Sequence, residues 1–143
     1  MKAFSIGSAL ALGCLALFAA PALAERITVS CTGTVTFNGA ALCDQMGVHN
    51  FTADGPEVPM FVRVTAPSTH CSKVSYVLFR DDRDEQLGFT GPLGPGETQN
   101  VQVGAGWAAG ANRVRVGAIG HVGGCNQGTL QSWAVDIAAA PVP

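Results

Sequence analysis

Apolar and polar residues alternate with a period of two along most of the chain. Ile27, Val29, Cys31, Val35 and Phe37 share one parity, and Thr28, Ser30, Thr32, Thr34 and Thr36 share the other. That is the pattern of a half-buried strand with a Thr-rich solvent face. Asn38-Gly39 follows and suits the positive φ angles of a tight hairpin turn. Residues 44–57 are polar and turn-rich, end in Asp54-Gly55-Pro56, and read as a loop. Val58, Met60, Val62 and Val64 make a second alternating run, with Arg63 and Thr65 outward and Pro67 as its stop. From Val74 to Phe79 both parities are apolar, which predicts a central strand covered at least partly on both faces. Asp81-Asp82-Arg83-Asp84 is a charged turn, and Glu85 to Thr90 returns with Leu87 and Phe89 inward. Residues 91–96, rich in Gly and Pro, are a loop by chemistry. Val101 and Val103, then Val114, Val116 and Ala118, then Trp133, Val135 and Ile137 mark three further strands.

No segment after residue 24 sustains a helical period. The expected fold is therefore all-β: a single-domain sandwich of about seven antiparallel strands. It spans residues 25–137, with 138–143 as a flexible tail. Within residues 95–120, four features occur together: the Pro95-Gly96 loop, Val101-Gln102-Val103, the Gly110-Ala111-Asn112 turn and Val114-Arg115-Val116. This stretch is similar to bacterial immunoglobulin-like modules. The resemblance implies an immunoglobulin-like β-sandwich and no particular activity. Trp133 is not the core Trp of antibody domains, because it follows all four cysteines of that region instead of lying between a pair.

The N-terminus reads as an address. Lys2 precedes an apolar stretch from Ala9 to Ala20, Pro21 breaks it, and Ala22-Leu23-Ala24 supplies small residues for cleavage after Ala24. Residues 1–24 are thus expected to be a signal peptide, leaving a periplasmic or secreted chain with no membrane insertion after cleavage. The alternative, lipidation at Cys14, has a poor box in Ala11-Leu12-Gly13-Cys14 and would leave an apolar stretch behind it. The run is also short for the roughly 20 residues that span a bilayer. Removing Cys14 leaves Cys31, Cys43, Cys71 and Cys125, an even count in an exported chain, hence two disulfides. Three pairings are possible, and Cys31–Cys43 with Cys71–Cys125 is the expected one. One objection stands against the first pair: a hairpin turning at Asn38-Gly39 places Cys43 opposite Thr34, off the face of Cys31. The hairpin therefore has to break or bulge before Cys43.

Composition narrows the function classes. With 48% apolar and 13% charged residues the chain is not of the disordered class. A net charge of −2 with scattered arginines gives no footprint for nucleic acid. His49, His70 and His121 have no metal-ligand spacing, and Cys125 lacks the following His and Met of a blue-copper site. The acidic stretch 81–85 lacks the spacing of a calcium loop. No metal and no cofactor is expected. There is no G-x-S-x-G elbow, and Ser68 and Ser72 flanking His70 do not by themselves place a base on a nucleophile. No catalytic residue is expected.

Binding is the remaining class. Trp107 lies among Gly and Ala, exposed for a sugar ring or a protein partner or else folded back to cap the sandwich. Arg113 and Arg115 share a strand face, as an anion site or as a solvated sheet face. The expected function is an exported, non-catalytic module acting by binding or as an envelope or extracellular component, with a protein or glycan partner. Two alternatives remain. One is a secreted protease inhibitor or similar effector presenting Leu93 on the 91–96 loop. The other, the weakest, is a small hydrolase.

Overall fold

The computed structural model describes residues 23–140. Nearly all of the expected signal peptide, and the last three residues, lie outside that range. Ten strands make up the regular structure of the described residues: β1 (Glu25–Ser30), β2 (Thr34–Phe37), β3 (Ala40–Cys43), β4 (Gly47–Ala53), β5 (Met60–Thr65), β6 (Val74–Arg80), β7 (Glu85–Phe89), β8 (Thr98–Gly104), β9 (Gly110–His121) and β10 (Ser132–Ala140). No helix among these residues is long and apolar enough to cross a membrane.

The pairings are nested. β1 pairs with β10, β4 with β9, β5 with β8 and β6 with β7, all antiparallel. Together they form one long ribbon with the β6–β7 hairpin at its tip. The ribbon folds over so that β10 also pairs with β5, and β9 with β6. One sheet then runs β1-β10-β5-β8. The other runs β4-β9-β6-β7, and the β2–β3 hairpin extends it along the far half of β9. This is the order of an eight-stranded jelly roll with an inserted hairpin. The two-sheet antiparallel sandwich agrees with the sequence, whereas its connectivity differs from the immunoglobulin order.

The core lies between the sheets. Val62, Val64, Trp133, Val135 and Ile137 face Tyr76, Leu78, Val114 and Val116 across it. Alternation along each strand puts these side chains on one face, as half-buried antiparallel sheets require.

Four local expectations are corrected. The run from Ile27 to Phe37 is two strands in two different sheets, and the break is at residues 31–33. The parity therefore flips: Val35 is 64% exposed, while Thr34 and Thr36 donate to the carbonyls of Leu130 and Gly128 at 2.9 and 2.8 Å. Asp44 fixes the break by accepting from the Thr32 N–H at 2.9 Å and from the Thr32 hydroxyl. The Thr32 hydroxyl first, and then the Gly33 backbone, hold its carboxyl down to about 2. The expected loop 44–57 contains β4, which turns Gly47, His49, Phe51 and Ala53 inward. Its inward set mixes one Gly, one His and one Ala with a single large apolar residue, so it carries no hydrophobic alternation. Gly47 is required there, because a Cβ would strike Ile27 of β1 across the sandwich. A register shift at Leu78/Phe79 sets Phe89 opposite Val77. Phe89 is thus 64% exposed instead of inward. Finally, Ala138 to Ala140 are strand and not tail, because β5 runs beside them and pairs them with Arg63, Val62 and Phe61.

Both disulfides pair as expected. Cys31–Cys43 has Cα atoms 5.3 Å apart and Cys71–Cys125 has them 5.5 Å apart. Thr34 does stand opposite Cys43. The break at 31–33 is what brings Cys31 back to it.

Candidate functional site

The Cys71–Cys125 bond staples one end of the sandwich. β5 stops at Thr65, opposite Asp136, and Ala66-Pro67 turns the chain away. β10 extends further, so the backbone of Ala134 has no strand beside it on that side. Two side chains take the place of the missing strand. The Ala134 N–H donates to His70 Nε2 at 3.3 Å, and the Tyr76 hydroxyl donates to the Ala134 carbonyl at 2.7 Å. His70 is positioned by a turn in which its own N–H reaches the Pro67 carbonyl at 3.0 Å. Burial, and then the nearby Arg26 guanidinium, lower the His70 pKa from its ordinary 6.5. Burial raises that of Tyr76.

The facing segment, 122–131, is ordered by its own polar groups. Asn126 is buried, donates to the His121 carbonyl at 3.0 Å and accepts from the Gly128 N–H at 2.9 Å. Gly124 has φ +58°, and a Cβ there would collide with the Cys71 carbonyl. The inserted hairpin holds the far side through Thr34 and Thr36, and the Cys31 N–H reaches the Gln131 carbonyl at 2.8 Å.

Two hollows border this staple and a third lies further along the outer sheet face. The first is about 430 Å³ and is lined by His70, Ser72, Asn126, Thr129, Gln131 and Trp133, with the disulfide at its wall. The second, about 460 Å³, lies against the same disulfide and includes Lys73, Glu97 and His121. The third, about 370 Å³, lies on the outer sheet face among Val77, Phe89, Pro92 and Ile119. In the first, His70 Nδ1 and Trp133 Nε1 are buried with no hydrogen-bond partner among the described residues. Because His70 Nε2 accepts from Ala134, the neutral ring carries its proton on Nδ1. Both groups are therefore N–H donors, closed off from solvent.

The opposite end is closed. Trp107 is 2% exposed and caps the sandwich, meeting Phe51 edge-on at 4.9 Å between ring centres. Its Nε1 donates to the Val103 carbonyl at 3.3 Å. The Arg80 guanidinium lies 3.9 Å from the indole centre and donates to the Gly106 carbonyl at 2.6 Å. Arg80 is paired with Asp82 at 3.2 Å, Arg113 and Arg115 with Asp81 at 3.3 and 3.4 Å, and Arg115 also with Asp84. Trp107 and Arg113 do line a common hollow, of only about 220 Å³. The acidic turn thus neutralises the arginines of the expected anion site.

Leu93 is in the core at 6% exposure, held by paired backbone bonds to Val74 at 2.9 Å each. The 91–96 loop therefore does not present it, and the inhibitor reading loses the side chain that motivated it. No group of three or more His, Cys, Asp or Glu side chains is placed to hold a metal among the described residues. His49 is buried against Glu25, with Nδ1 at 2.7 Å from a carboxylate oxygen. One nucleophile–base pair does exist, Ser75 Oγ to His121 Nε2 at 2.9 Å. Among the described residues no carboxylate hydrogen-bonds that imidazole. Both residues line the third hollow. The sequence matches no protein-family model, and no curated protein is significantly similar to it.

Proposed function

We propose that the chain is an exported, non-catalytic binding module that recognises its ligand at the end stapled by Cys71–Cys125. The observation that carries this reading is the contrast between the two ends. The stapled end keeps hollows of about 430 and 460 Å³ walled by the disulfide. The other end is filled by Trp107, and its charges are compensated within the chain. Ligand sites are concave, of roughly 300–1,000 Å³, with a few placed polar groups. Loops over a rigid sandwich are where such modules place them. Two intramolecular disulfides fit an oxidising, extracellular or periplasmic setting.

A small-molecule fragment screen followed by NMR amide shifts tests the reading. Perturbations are expected at 69–73 and 125–133. Clustering at 104–113 instead, or turnover of ester, peptide or glycoside substrates, overturns it. Intact mass from the native compartment, expected to begin at Glu25 with both disulfides formed, tests export.

A further inference from the structure

The third hollow joins a reactive pair to an apolar wall. Ser75 stands opposite Ile119 on the outer face of its sheet, and His121 follows two residues on, at the end of β9. The His121 backbone is pinned at both its polar groups. Its N–H donates to the Lys73 carbonyl at 2.9 Å, and its carbonyl accepts from Asn126 at 3.0 Å. The ring is thereby held with Nε2 2.9 Å from Ser75 Oγ. With its proton on Nδ1, the neutral imidazole accepts from the Ser75 hydroxyl, which is the arrangement of a nucleophile with its base. Ser75 keeps 8% of its surface exposed and opens on a hollow of about 370 Å³. Val77, Phe89, Pro92 and Ile119 supply the apolar part of the wall, and among the described residues it holds no Asp, Glu, Lys or Arg. Phe89, turned outward by the register shift, stands exposed beside it. A charged group finds no counter-ion there, whereas an uncharged acyl chain finds apolar surface to cover.

We infer that Ser75 is a nucleophile that takes an uncharged acyl group from an ester with a good leaving group, with His121 as its base. Ser75 Oγ attacks the acyl carbonyl carbon while His121 Nε2 takes the hydroxyl proton. The tetrahedral adduct then breaks its bond to the leaving oxygen, and His121 returns the proton to that oxygen. The products are acyl-Ser75 and a free alcohol, so the step needs no further reactant. The acyl chain lies in the hollow over Val77, Phe89 and Ile119. His121 lacks the orienting carboxylate of an efficient hydrolase among the described residues. The pair therefore suffices for an activated donor, and the alkyl ester left on Ser75 persists. The result is one modification per chain and not turnover. It goes beyond the binding reading, which concerns the stapled end.

The test mixes the disulfide-bonded protein with p-nitrophenyl acetate, butyrate and hexanoate at neutral pH. Nitrophenolate release gives the rate, and intact mass with peptide mapping locates the acyl group. A burst of about one equivalent is expected, with the added mass on Ser75. The rate should rise roughly threefold per added methylene as the chain covers the apolar wall. Phe89→Ala, which removes an exposed side chain and leaves the pair intact, should flatten that rise. Ser75→Ala should abolish the label, and His121→Gln should slow it roughly 100-fold. Circular dichroism and urea midpoints check that both variants fold, and Phe89→Ala keeps the test decisive if either does not. Label on Lys73 or the N-terminus instead of Ser75, an unaltered rate in folded His121→Gln, a rate indifferent to chain length, or no release above the buffer rate overturns the proposal and leaves the stapled-end reading standing. Ser75-dependent release that continues beyond the burst overturns the single transfer, and with it the non-catalytic reading of the chain.

Discussion

His70 shows how one side chain ties the end of a strand to the acidity of the solvent. Its Nε2 must stay unprotonated to accept from Ala134, and burial depresses its pKa below 6.5 in the fold. The unfolded chain therefore binds a proton more readily. The stability His70 confers is fully present above pH 6.5 and is lost as pH falls through the folded value. Urea unfolding at pH 7.5 and at pH 5 is expected to show this loss. His70→Leu should flatten that step while costing about 1–3 kcal/mol at pH 7.5, because it orphans the Ala134 N–H. An unchanged slope in the variant would assign the acid sensitivity to another group. Asp44 follows the same sign at lower pH. Its contribution is in place above the ordinary 3.8 and disappears as pH approaches about 2. Trp107 is the contrasting residue, since its interactions are all internal. Trp107→Ala is expected to cost about 3–5 kcal/mol in denaturant titration and to leave any ligand affinity at the stapled end unaltered. A lost affinity without lost stability would return Trp107 to the binding surface.

At the scale of elements, legibility followed periodicity. β5, β8, β9 and β10 each bury a run of apolar residues against one face, so a period of two revealed them, and β6 was revealed by its dense apolar run. β4 was hidden because it turns a Gly and a His inward. The split between β1 and β2 was hidden because apolar parity continues through a point where the chain changes sheets. The cysteines were readable for a different reason, since parity in count and export context constrain them more than spacing does. Trp107, Arg113 and Arg115 drew notice through their local setting, and tertiary pairing then used them up. His70 and Tyr76 take up the Ala134 backbone because β5 stops short of β10. That mismatch in length exists only once the sheet is assembled. The two staples also differ as elements. Cys31–Cys43 closes 12 residues and Cys71–Cys125 closes 54. Chain entropy then gives about 3 and about 4 kcal/mol respectively. The double alanine variant at 71 and 125 should lose about 1 kcal/mol more than that at 31 and 43, as read by denaturant midpoints at equal slope. The reverse order would show that native contacts, and not loop closure, set the effect.

The whole molecule is a folded ribbon, and its outermost rung joins the two ends of the domain: Glu25 pairs with Ile137. Rungs of this kind reward the chain only after long loops have closed, so folding is expected on the slow side of the two-state range, milliseconds to seconds or longer. The β6–β9 contact is the step at which the ribbon first folds over itself, and its ladder begins at Val74 opposite Gly120. Cys71–Cys125 lies just beyond that rung and closes nearly the same loop covalently. With this bond intact, the unfolded chain already holds the ends of β6 and β9 together, whereas Cys31–Cys43 only ties the inserted hairpin to the end of β1. If the fold-over is part of the transition state, removing the 71–125 bond slows refolding and leaves unfolding almost unchanged, while removing the 31–43 bond chiefly speeds unfolding. Stopped-flow chevrons of the two alanine pairs decide this. A refolding limb unaffected by loss of Cys71–Cys125 would place the β6–β9 fold-over after the barrier, and the stapled end would then be the last part of the domain to form.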